Sequence, residues 1–303
     1  MSESEHTESA ESAGLEEDFV FPIDPLTHLF FDDQYENITD VENMTDANEL
    51  NLFSVWCFPT YMTLYSPGGE PQKFDCEKQQ DINEYNEIKR TDVFVPGSTH
   101  KIHKIGTGMT RETIQQIIAK ETGEPKRTGL YFFDFDMLLS QFGGLKFPEN
   151  PESVTEEWLE QYAKYLFSDY IGAEPENGRL NLLKRMFQVI GPDRIYIITA
   201  NPYASTNYTL SSGRVVDWQF QKFVRLLQVL LPSFIPNHLV YANIKVQSKS
   251  TKIMQILNSR PMGGARSKAR RTKRTKSKAR KTRTRSKTSR RSRRNRKKTS
   301  RVS

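Results

Sequence analysis

Residues 130–136 read Leu-Tyr-Phe-Phe-Asp-Phe-Asp (LYFFDFD). An apolar run that stops on carboxylates is the pattern of a strand buried on both faces, as in a parallel sheet. Aspartates two residues apart on an extended strand point the same way, so Asp134 and Asp136 can jointly hold a hard cation beyond the strand end. One of them can also attack a phosphorus atom while the other handles the proton. The plainer reading of an isolated Asp-x-Asp is a pair of solvated turn residues. The rest of the chain decides between the two.

Working outward, two further apolar strands are expected at Arg194–Thr199 (RIYIIT) and Leu239–Ile244, and one earlier at Leu52–Phe58 (LFSVWCF). Helices are predicted between them. Thr110 caps a helix over 110–121, with Ile114, Ile117 and Ile118 on one face. Ser153 with Glu156 reads as a capping box for a helix over 153–167. A third runs over 179–190 to Gly191-Pro192, a fourth over 216–231 to Pro232, and a short last one over 250–257. Residues 59–100 carry turn signals (Pro67-Gly68-Gly69, Pro96-Gly97) and no clear period. Strands alternating with helices predict an α/β fold with a doubly wound parallel sheet, whose ligands bind beyond the carboxyl ends of the strands.

The 303 residues suffice for one such core plus tails. Residues 1–18 are polar and acidic and are expected to be a disordered arm. The α/β domain is expected over 19–260, with a small helical insert at 140–190, and a disordered basic tail over 261–303. Arg266–Ser303 holds 21 of the 44 Lys and Arg and no acid, so the formal charge of +7 belongs to the tail and the body is acidic. Such a tail, with Ser and Thr but no aromatic residue, is suited to phosphate backbones without base preference. Nucleic acid is therefore the partner expected of residues 264–303, with nuclear import or acidic protein surfaces as alternatives. Cys57 and Cys76 form neither a metal-like nor a redox pair. With no signal pattern and no apolar run of membrane length, an intracellular protein of cytoplasm or nucleus, without membrane contact, is expected.

The candidate site residues recur at the predicted strand ends. Thr199, followed by Ala200-Asn201-Pro202, can offer a hydroxyl to a phosphate oxygen. Lys249 and Lys252 stand at the start of the last helix, where an ammonium can balance phosphate and carboxylate charge. Asp-x-Asp, an apolar strand ending in Thr, then Lys before a helix: over residues 128–258 this order resembles the first three motifs of the haloacid dehalogenase superfamily. The resemblance implies that Asp134 is the nucleophile that becomes an aspartyl-phosphate. It makes Asp136 the general acid/base, which also reaches the metal, an Mg2+ ion. Thr199 and Ala200 would bind the phosphoryl group, and Lys249 or Lys252 would steady it. Leu138 stands where the family usually has Thr or Val.

That family needs a fourth motif, an apolar strand ending in acids that complete the magnesium site, and only NSRPMGG and the tail follow Leu257. Residues 28–38 (HLFFDDQYENI) resemble it instead, with Asp32 and Asp33 as the metal acids and LFSVWCF as the fifth strand. The chain would then be a circular permutant, and Asp33 has to lie within about 10 Å of Asp134, since magnesium–oxygen bonds are about 2.1 Å. The alternative places Asp32-Asp33 in an acidic arm. The expected function is a Mg2+-dependent phosphatase with a nucleic-acid-binding tail. About sixty residues between the first two motifs leave no room for a large cap, which favours a macromolecular phosphorylated substrate. The rival is an inactive scaffold serving as a nucleic-acid-binding or virion protein. In style the arrangement resembles proteins of large DNA viruses.

Overall fold

The structure, a computed structural model, describes residues 21–260 apart from 45–48, 58–60, 66–71, 76–77, 92–93, 95–103, 106–107, 142–144, 170–172, 210–211 and 244–246. The acidic arm and the basic tail of the sequence reading lie outside the described residues. Two units divide the chain. Met1–Met254 contains the sheets and the site, and Gln255–Ser303 has as its described part the end of the last helix and Arg260.

The first unit is built on a parallel five-stranded sheet flanked by helices. In chain order it runs β1 (His28–Asp32), α1 (Tyr35–Glu42) and β2 (Leu52–Trp56). Then come a small antiparallel sheet of β3 (Tyr61–Tyr65), β4 (Gln72–Asp75) and β5 (Lys104–Ile105), with α2 (Gln79–Thr91) between its last two strands. α3 (Arg111–Thr122) leads to β6 (Tyr131–Phe133), followed by α4 (Glu156–Phe167), α5 (Arg179–Ile190) and β7 (Ile195–Thr199). A short hairpin, β8 (Tyr208–Thr209) with β9 (Val215–Val216), precedes α6 (Trp218–Leu230), β10 (Leu239–Tyr241) and α7 (Lys249–Ser259).

The main sheet has the order β10-β7-β6-β1-β2. Phe31 lies opposite Phe133, and Phe133 opposite Ile197, so the carboxyl ends of the three central strands line up. From β1 the chain steps outward to the edge at β2. It then returns to β6 and steps out the other way through β7 to β10. The reversal falls between β1 and β6, the place where open α/β sheets bind their ligands.

Apolar content explains the central position of these strands. Leu29–Phe31, Tyr131–Phe133 and Ile195–Ile198 are all buried, leaving no solvated face. Phe31 and Phe133 stack at 5.2 Å, and Phe133 stacks on Phe187 of α5 at 5.8 Å. Phe30, Phe132 and Tyr196 alternate to the opposite face. α1 packs beside β1 and β2 with Ile38 and Val41 buried.

Several element boundaries differ from the sequence reading. Ser153 does not cap α4. It ends a short turn over Pro151–Ser153, and the cap is Thr155, whose hydroxyl accepts from Trp158 N–H at 3.1 Å. Val216 is not helical, because it pairs with Tyr208 in the hairpin, and α6 starts two residues later. The stretch 59–100, which lacks a readable period, contributes β3, β4 and α2. The polar sequence of α2, QQDINEYNEIKRT, has too few apolar residues to announce a buried face.

Candidate active site

β1 delivers Asp32 at its last position, and Asp33 follows in the turn. β6 stops at Phe133, and the Asp134 amide donates to Phe31 O at 3.0 Å, which ties Asp134 to the end of β1. Residues 135–139 then form one irregular turn. Asp136 is extended within it, and Met137 has a left-handed φ of 63°. A side chain in that region is strained by about 1 kcal/mol, and the surroundings must hold it there. They do so through the Leu138 carbonyl, which accepts from Met109 N–H at 3.1 Å and from Arg179 Nη2 at 2.8 Å.

Lys249 is the first residue of α7, and its ammonium is buried between two carboxylates. Nζ lies 2.8 Å from Asp32 Oδ2 and 2.9 Å from Asp134 Oδ1. Asp32 is held further by its other oxygen, which accepts from the Gln34 amide and from Asn37 Nδ2, both at 2.9 Å. Asp33 is placed differently. Its Oδ1 is buried and has no hydrogen-bond partner. Oxygens of Asp32, Asp33 and Asp134 all lie within 4.8 Å of one another. Three carboxylates, one of them with an orphaned buried oxygen, make a set of oxygen donors. A metal ion can be held by this cluster.

The electrostatics agree with that fit. Burial, with the Asp32 carboxylate beside it, pushes Asp33 up to about 6 despite the pull of Lys249. Asp134 is held well above the usual carboxylate range by burial and by repulsion from Asp32, Asp136 and Asp33, with Lys249 opposing. For Lys249, burial alone would weaken the ammonium, but Asp134 and Asp32 outweigh it and its pKa is raised. One ammonium among this many acids leaves room for further positive charge.

Asp136 stands apart from the cation cluster. Its Oδ2 accepts from Thr199 Oγ1 at 3.3 Å, and Thr199 Oγ1 in turn accepts from the Asn201 amide at 3.0 Å. Thr199 is fully buried at the end of β7, while Ala200 just beyond it is exposed. Of the two candidate lysines, Lys249 enters the cluster. Lys252, one turn further along α7, is half-buried and makes none of the ion pairs among the described residues.

Arg179 is a further residue of this region, and nothing in the local sequence marks it. It is buried and donates to three carbonyls: Met109 O at 3.1 Å, Phe167 O at 2.9 Å and Leu138 O at 2.8 Å. Gly108 completes the same junction. Its φ is 85°, and a Cβ there would sit 2.3 Å from Leu138 O.

Among the described residues, no helix is long and apolar enough to cross a membrane. No family model matches the chain, and neither a curated protein nor a solved structure matches it.

Proposed function

We propose that the chain is a Mg2+-dependent phosphatase of the haloacid dehalogenase type, circularly permuted, which works through an aspartyl-phosphate on Asp134. The observation that carries this is the meeting of Asp32, Asp33, Asp134 and Lys249, drawn from positions as far as 217 residues apart, at the reversal point of the sheet. Further support comes from the strand order. The strand ending in Asp32-Asp33 adjoins the one ending before Asp134. The expected fifth strand, β2, lies on the edge, and the strands leading to Thr199 and Lys249 follow on the other side.

Each residue has a definable task. Asp33 and Asp134, with Asp32, would hold the Mg2+, which when bound neutralises charge on the phosphoryl oxygens. A carboxylate oxygen of Asp134 attacks phosphorus, and the bond from phosphorus to the ester oxygen breaks. Asp136 gives its proton to that departing oxygen. It then takes a proton from a water that attacks the same phosphorus, so that inorganic phosphate leaves and the Asp134 carboxylate returns. Lys249 fixes Asp134 in place and balances charge, and Thr199 orients Asp136.

Release of phosphate from a generic aryl phosphate should require Mg2+ and stop on addition of a chelator. Asp134→Asn should lower turnover by at least about a thousandfold, since it removes the nucleophile rather than a helper. Equal turnover by the two proteins would refute the reading and favour the inactive scaffold.

A further inference from the structure

Two aromatic side chains stand exposed beside the carboxylate cluster. Tyr35 opens α1 two residues after Asp33, and Trp56 closes β2 in register with Asp32. Their rings lie 5.1 Å apart at 58°, and they are 56% and 50% exposed. The indole is also tethered: Trp56 Nε1 donates to the Asp33 carbonyl at 3.1 Å. It is therefore fixed to the peptide of Asp33, whose Oδ1 has no hydrogen-bond partner. Large rings left in water forgo the stabilisation their burial would bring. Held in place at the ligand-binding end of a sheet, they make a surface for a flat group.

The charge distribution indicates which flat group. Arg266–Ser303 supplies 21 cations and no aromatic residue, so the tail can neutralise a polyanion but cannot stack on a base. The body is acidic and lacks that charge, yet exposes the rings. On the phosphatase reading, on which this inference rests, the rings flank the cluster that would hold the phosphate, tied to it by the indole's bond to the Asp33 carbonyl. We infer that Tyr35 and Trp56 form a stacking platform for a nucleobase. The substrate class is a phosphomonoester borne by a nucleotide, free or at the end of a nucleic-acid strand.

The test uses the full chain with Mg2+ and compares kcat/KM for glycerol phosphate, thymidine 3′- and 5′-monophosphates, thymidine oligonucleotides with the same terminal phosphates, and a phosphotyrosine peptide. Nucleotide substrates should be preferred to glycerol phosphate. Trp56→Ala should cut that preference about tenfold, mainly through KM, and Trp56→Phe should restore most of it. An oligonucleotide favoured over its mononucleotide identifies a strand end as the source; parity identifies the free nucleotide. In Asp134→Asn, titration with the preferred nucleotide should quench tryptophan emission, and adding Trp56→Phe should remove the quenching. A preference unchanged by Trp56→Ala overturns the inference, as does a phosphotyrosine peptide that outperforms every nucleotide. Turnover of glycerol phosphate without preference for nucleotides overturns this inference alone. No turnover of any of the substrates overturns the phosphatase reading as well.

Discussion

Asp33 is a residue whose charge the fold tolerates poorly. Its folded pKa, about 6, is raised above the ordinary value of 3.8. A raised carboxylate pKa means that the ionised form is worse off folded than unfolded. The penalty is present above pH 6, shrinks as pH falls through that value, and is gone below about pH 4. Two pKa units correspond to at most about 3 kcal/mol. Asp33→Asn should therefore raise the melting temperature of the metal-free protein at pH 7 by several degrees, and the gain should fade towards pH 4. On the proposed function Mg2+ should raise the melting temperature of the wild type, and the same variant should lose most of that gain. Asp32→Asn should act differently, since Asp32 is occupied by Lys249, Asn37 and the Gln34 amide. At this scale the sequence was informative about residue types at strand ends and silent on direction. Lys249 and Lys252 are three residues apart on one helix, and only the position of the helix start decides which of them reaches the acids.

Among the elements, the turn after β6 has the most demanding support. Arg179 holds it by satisfying three carbonyls from three separate segments, and its own burial lowers the guanidinium pKa to about 10 despite Asp169 and Glu174. Arg179→Ala would take this donor from the buried Met109 and Phe167 carbonyls, at about 1–3 kcal/mol each, while the Leu138 carbonyl keeps the Met109 amide. The expected result is a loss of several kcal/mol in denaturant unfolding, and Arg179→Lys should recover only part of it, because an ammonium lacks the planar fork. The two hydroxyls before α4 give a cleaner comparison. Thr155→Ala should cost about 1 kcal/mol and Ser153→Ala close to nothing, measured by the same unfolding curves. Ser153-x-x-Glu156 fits the capping pattern as a string of letters. Pro151 turns the chain there instead, and the helix begins after Thr155. The buried strands could be read because continuous apolar runs have few other uses. The small sheet of β3, β4 and β5 could not, because its short strands are interrupted by turn signals such as Pro67-Gly68-Gly69 and carry no continuous apolar run.

For the whole molecule, the parallel sheet was legible from the alternation of strands and helices. The meeting of the ends of β1 and β6 was expected only from the resemblance of residues 28–38 to a fourth motif, since no local signal links residues about a hundred positions apart. Charge segregation is the other large-scale property. Binding of duplex DNA by the full chain should weaken by about a thousandfold or more between about 50 and 200 mM salt, with a straight log–log slope, in a filter-retention assay. Affinity that ignores salt would remove the backbone-binding role proposed for the tail.

The reversal between β1 and β6 also has a consequence for synthesis. A chain is made from its N-terminus, and domains fold as units once enough of them has emerged. Asp32 and Asp33 leave the ribosome early, Asp134 a hundred residues later, and Lys249 only after the last strand. A nascent chain stalled before α7 would have all the acids of the site and none of the ammonium that holds two of them. The lysine that ties Asp32 to Asp134 is thus the last part of the cluster to be made, and until it emerges the acids face one another without it.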